Sequence, residues 1–234
     1  MCLGALRKRA SFFCAHAWAL RPHTKPSMTK SALERALQAN AASYHDKLKS
    51  ADANTAEIRW AVASAPLALE PFRMELLGMA PGKFLKSAPK NIAAGRLRCC
   101  FDAQRRIVST TEYAELDDAG QCLVYREFYE YLGAQVLRYS YGSAVDGMPD
   151  SPTLQKVAAI ECDAQGRTTV VKEIFFRRLE YTETSYTYCE TGIGEINIRW
   201  PETGAVRTIT VKHDHGAISL HEITPDGLEQ IYPE

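Results

Sequence analysis

Four polar side chains in the apolar, alternating stretch 112–141 have the types and spacing to do chemistry: Glu112, Arg126, Glu130 and Tyr139. An arginine held among apolar neighbours can clamp a ligand carboxylate, while a tyrosine stacks on it or donates a hydrogen bond. The same arginine opposite a glutamate can instead form a cross-strand ion pair. Turn geometry decides which residues meet. In a three-residue hairpin loop, residue i faces residue i+4. Placing Asp117 opposite Gln121 predicts Tyr113 opposite Tyr125 and Glu112 opposite Arg126. A two-residue turn at Leu132-Gly133 then predicts Phe128 opposite Leu137 and Arg126 opposite Tyr139. One predicted face carries Ala114, Leu116, Cys122, Val124, Phe128, Leu137, Tyr139 and Tyr141, with Glu112, Arg126 and Glu130 among them. The other carries Leu123, Tyr125, Tyr129 and Tyr131, with Glu127 opposite Arg138. The candidate ligand-binding set is therefore Arg126, Glu112, Tyr139 and Glu130; a purely structural Glu112–Arg126 pair is the competing reading.

Other candidate chemistry is thinner. His213, His215 and His221 invite a metal, but the turn pairs His213 with Ala217 and Ile209 with His221. His213 and His221 then lie roughly 13 Å apart, too far to share one ion. The seven cysteines include no C-x-x-C spacing, so neither a zinc site nor a thioredoxin-like motif is indicated. They read as buried free thiols of a reducing compartment. Of Cys99-Cys100, adjacent on a strand, one must point inward. There is no G-x-S-x-G, H-E-x-x-H or P-loop, and Gly192-Ile193-Gly194 lacks the rest of a dinucleotide fingerprint. No catalytic residue, metal ligand or cofactor is assigned.

The elements that must position these residues are marked by one recurring turn. Asp163-Ala164-Gln165-Gly166 puts Asp at the first position of a type I turn and Gly at the fourth, ahead of a β-branched run. This predicts a three-residue hairpin loop with a bulge, Gly166 at positive φ. Gly120, Gly204, Gly216 and Gly227 fall at the same point of similar turns; Arg105 stands there in the first copy. The phrases "FDAQRRIV" and "CDAQGRTTV" resemble the Y-D-x-x-G-R turn of YD/Rhs repeats. The likeness covers turn segments alone, without the preceding Tyr or a regular spacing, and implies no function. From Leu97 onward the pattern predicts an antiparallel β-meander of about ten strands, either a curved sheet or a lipocalin-like barrel.

Upstream, Ser31 and Glu34 have capping-box spacing, and Leu33, Leu37, Ala41, Tyr44 and Leu48 form one apolar stripe. A helix of about 18 residues is expected there. A shorter second one is expected over "AEIRWAVASA", ending before Pro66. Residues 66–95 hold four prolines and three glycines and read as a connection. The predicted organisation is 1–27 unstructured, targeting or preceding the true start at Met28; 28–95 helical and loop-rich; 96–234 the meander.

Composition bounds the rest. With 46% hydrophobic and 24% charged residues the chain can bury a normal core. Residues 1–27 hold five basic side chains and no acidic one, so the body carries 28 − 5 = 23 basic against 28 acidic residues. A mildly acidic body argues against nucleic acid as partner. No apolar run is long enough for a membrane-spanning helix. The location read from this is cytoplasmic, or exported or organellar if residues 1–27 are a targeting segment. The expected function is a non-catalytic binding or accessory protein using a meander surface toward an unknown protein or small molecule. The alternative is a barrel holding a small apolar or anionic ligand, with isomerase or lyase activity inside.

Overall fold

A computed structural model of the chain describes residues 27–233 apart from 63–66, 68, 117–121 and 146–151. The expectations for residues 1–26 and for the Gly120 turn lie outside the described residues. The described residues begin with two helices, α1 (Lys30–Asn40) and α2 (Tyr44–Asn54). Thr29, not Ser31, caps α1, its hydroxyl accepting the Ala32 N–H at 3.3 Å. The 18-residue helix is broken at residues 41–43, where Ser43 donates to the Asn40 carbonyl and Tyr141 reaches the same oxygen. The apolar stripe survives the break: Leu33, Leu37 and Tyr44 are all buried.

Among the described residues thirteen antiparallel strands follow, not ten: β1 (Glu57–Val62), β2 (Lys83–Phe84), β3 (Arg96–Phe101), β4 (Ile107–Leu116), β5 (Cys122–Leu132), β6 (Gln135–Val145), β7 (Leu154–Cys162), β8 (Thr168–Phe175), β9 (Tyr181–Cys189), β10 (Gly192–Trp200), β11 (Ala205–Asp214), β12 (Ala217–Thr224) and β13 (Gly227–Tyr232). The expected second helix is β1. Its Glu57-Ile58-Arg59-Trp60-Ala61-Val62 alternates, and pairing with β3 from Glu57↔Phe101 to Val62↔Arg96 overrides the weak helical preference of Glu57, Arg59 and Ala61. The strands form one sheet in sequence order from β13 to β3, with β1 and then the two-residue β2 at the far edge. The sheet is open; among the described residues no ladder joins β13 to β2.

Each sheet face has its own core. The helices cover one face: Leu33, Leu37 and Tyr44 pack on Phe128, Leu137, Tyr139, Tyr141, Val157 and Ile174. The other face is covered by Leu67 and residues 69–79, which we call the strap. Its Leu67, Leu69, Phe72 and Leu76 pack on a cluster running from Ala61 and Cys99 through Ile160 to Ile209 and Leu220. The strap is also tied by a hydrogen bond from the Thr168 hydroxyl to the Leu69 carbonyl, 2.9 Å. The sheet curls around it far enough that β13 touches the 3-10 turn Glu75–Leu77.

The recurring turn forms as expected in two described copies. Asp163 Oδ1 accepts the N–H groups of Gln165 and Arg167, its Oδ2 accepts from Arg167 Nε, and Gly166 sits at φ 76. Asp102 does the same for Gln104 and Arg106, with Arg105 forced to φ 61 where its twin has glycine. In each copy the turn arginine lies over a tyrosine from the strand after next: Arg106 on Tyr131 and Arg167 on Tyr188, at 4.7 and 4.4 Å from the ring centre.

Candidate functional site

A bulge splits the residues that the turns were expected to assemble. Near its turn β4 keeps the anticipated register, Leu116↔Cys122, but an extra β4 residue between Tyr113 and Leu116 shifts the rest by one. Arg126 therefore faces Thr111, and Glu112 faces Tyr125. A one-residue slip moves a side chain to the other face, so Glu112 is exposed on the strap face and cannot pair with Arg126. The β5–β6 turn is Gly133-Ala134, one residue later than expected, which makes Phe128↔Tyr139 and Arg126↔Tyr141. That shift of two along the ladder preserves the faces.

On the helix face Arg126, Glu130 and Tyr139 stay together in part. Arg126 Nη1 donates to the Tyr44 hydroxyl at 2.6 Å, and Tyr44 itself packs edge-on against Phe128 and Tyr141. Tyr139 donates to Glu130 Oε2 at 3.0 Å. A residue that strand pairing could not locate completes this group: Lys47 of α2 bonds Glu130 Oε1 at 2.6 Å and lies 3.5 Å from the centre of the Tyr139 ring. Burial, then the Glu130 carboxylate, pushes the Tyr139 phenol well above its ordinary range, so it stays a donor. The helices thus occupy the space that a ligand of Arg126 and Tyr139 would need.

The densest charged cluster lies under the strap. Two adjacent rows cross the sheet: Thr110, Glu127, Ser140 and Lys156, then Tyr129, Arg138, Ala158 and Glu173. Glu127 and Arg138, expected to face each other, lie diagonally across the two rows, with Arg138 Nε 3.7 Å from Glu127 Oε1. Arg138 is fully buried and bonds Glu70 of the strap and Glu173 of β8. Glu127 accepts from Tyr129 at 2.7 Å and Ser140 at 3.1 Å, and pairs with Arg73 of the strap at 3.2 Å. Lys156 bonds Glu173 at 2.7 Å. Burial alone would raise the Glu127 carboxyl. Arg138, then Arg73 and Lys156, with the Tyr129 hydroxyl, outweigh it and hold the group well below the usual carboxylate range. Three carboxylates meet three cations, so the cluster neutralises itself. The strap's contribution was invisible in the sequence, because Glu70 and Arg73 sit in a stretch with no period.

The third place is a groove of about 640 Å3 beside the start of α1. Among the described residues, helix α1 packs on β7 and β8 and stops short of β10 and β11, beside which the groove lies. The groove is lined by Met28, Tyr181, Trp200, Pro201 and Val206 as its apolar part and by Lys30, Lys172, Glu183 and Arg199 as its charged part. Tyr181 donates to Glu183 Oε1 at 2.5 Å, and the Trp200 indole N–H to Glu180 at 3.1 Å. Lys30 is paired with Glu202 and Glu34, and Lys172 with Glu161. Arg199 stands opposite Glu183 in the ladder, exposed, and among the described residues no carboxylate pairs with it. Nothing in the sequence singled out this groove, since its walls come from five separate segments.

The remaining candidates are spoken for. The β11–β12 turn is two residues, so His213 faces Ile218 and Ile209 faces Glu222, one step from the expected register. His213 bonds the Ile193 carbonyl at 2.8 Å and His221 the Ser219 hydroxyl at 3.0 Å. Among the described residues no three His, Cys, Asp or Glu stand close enough to hold a metal. Cys99 and Cys100 are both buried, and burial pushes the Cys99 thiol up to about 12. No helix among the described residues is long and apolar enough to cross a membrane. The chain matches no known protein family, no curated protein and no solved structure.

Proposed function

We propose that this chain is a non-catalytic binding protein that presents the open helix-face groove beside α1. One observation carries the reading. The concentrated charge chemistry of the fold, the Arg138 cluster, is used up internally under the strap, whereas the groove combines open volume, apolar walls and an unpaired arginine. A general acid, base or nucleophile needs a group poised at the edge of ionisation beside a space for substrate. Among the described residues the groove's walls hold no His or Cys, and its Tyr181 and Glu183 bond each other while its lysines are paired with carboxylates. The alternative of a catalytic barrel lacks its container, because the sheet is open and the strap fills the face that a barrel would enclose.

A native mass spectrum of freshly purified protein tests this. The expected result is the chain with a bound small molecule or a second polypeptide. A bare chain at every buffer condition, or a co-purified molecule that is consumed on incubation, would overturn it.

A further inference from the structure

We infer that the groove's ligand is an amphipathic monoanion, a single carboxylate on an apolar body; this rests on the binding reading above. The cation is Arg199. Lys30 and Lys172 already have carboxylate partners, so neither has an uncompensated charge to offer. Glu183, the nearest acid across the ladder, receives the Tyr181 hydroxyl, and among the described residues it does not pair with Arg199. A guanidinium left beside apolar surface is the group that a carboxylate binds in a fork.

The apolar body follows from the other wall. Trp200, Tyr181 and Val206 line the same groove, and Val206 is 57% exposed, so burying it is a net gain. Size selects a small molecule over a protein. The groove's volume lies inside the range of roughly 300–1,000 Å3 typical of small-ligand sites. A stable protein contact would need about 800 Å2 of complementary surface on each side. Beyond the groove this face carries Ser185, Asn197, Thr208 and Thr210, which favour water.

The test is calorimetric titration of the full chain with decanoate, decan-1-ol and decylammonium, each below its micelle concentration. Decanoate is expected to saturate one site, and decanol to bind at least about tenfold more weakly, the worth of a charge-assisted hydrogen bond. Arg199→Met should weaken decanoate by the same factor, and Arg199→Lys by less, with melting temperatures unchanged because Arg199 is exposed. The inference is overturned if decanoate shows no saturable heat, if Arg199→Met binds it as well as the natural chain, or if decylammonium binds equally. Failure with decanoate alongside a co-purified polypeptide in the native mass spectrum would sink the ligand class and leave the binding reading standing.

Discussion

Arg138 shows how a single residue can be both expensive and necessary. Removing a buried guanidinium from water costs several kcal/mol, and only its carboxylates offset that. Arg138→Met would leave three carboxylates, Glu70, Glu127 and Glu173, with only two cations, Arg73 and Lys156, among them. Glu127 gives the acid behaviour its sign. Its folded value lies below the unfolded value of about 4.3, so its stabilisation is present above that pH and is lost as pH falls through the folded value. Urea midpoints measured from pH 6 down to pH 3 should therefore drop below about pH 4.3, and the drop should be shallower in Glu127→Gln. Equal slopes in the two proteins would remove Glu127 from the account. The twin turns supply a second residue-scale prediction. Gly166→Val should cost roughly 1–3 kcal/mol, because a β-branched residue is strained at positive φ. Arg105→Gly should lie between neutral and about 1 kcal/mol stabilising, since it relieves the same strain against a smaller chain-entropy cost. Chemical denaturation that finds both changes equally harmful would show that the two turns are not equivalent.

At the scale of elements, the β4 bulge is the decisive feature. It separates Glu112 from Arg126, so a double-mutant cycle on stability should give coupling below about 0.5 kcal/mol. The Lys47–Glu130 cycle, by contrast, should reach about 1 kcal/mol, limited by the exposed side of Glu130. The opposite ranking would mean that the bulge is elsewhere. The same bulge explains what could be read from the residues and what could not. The Asp102 and Asp163 turns were legible because an Asp at the first position accepts the N–H groups two and four residues on, and so was the meander; the Gly204, Gly216 and Gly227 turns took loops of four, two and two residues instead of the expected three. The positions of Arg126, Glu130 and Tyr139 on one face followed, because two-residue shifts preserve faces. Glu112 was misplaced because an extra residue in mid-strand leaves no mark in an alternating pattern as short as Tyr113 to Leu116. β1 was mistaken for a helix because its partner, β3, lies 30 or more residues on, beyond the reach of local preference. Lys47, Glu70 and Arg73 reach their partners through packing between elements, which no spacing rule records.

Across the whole molecule, protection should follow coverage. β6, β7 and β8 are covered on one face by the α1 side and on the other by the strap, whereas β13 is mostly exposed at an open edge. Native-state hydrogen exchange should find the slowest amides in β6 to β8 and local opening in β13; slow exchange throughout β13 would mean that the edge is covered. One feature of this architecture also bears on how the chain is made. From β4 onward each strand pairs with the strand just before it, so a growing polypeptide emerging from the ribosome would find each of these partners already in place. The strap is the exception. Glu70 must wait for Arg138, 68 residues later, and the Leu69 carbonyl for Thr168, 99 residues later. Until then Leu67, Leu69, Phe72 and Leu76 have no surface to cover, and the nascent chain offers a sticky segment to chaperones for more than a third of its synthesis.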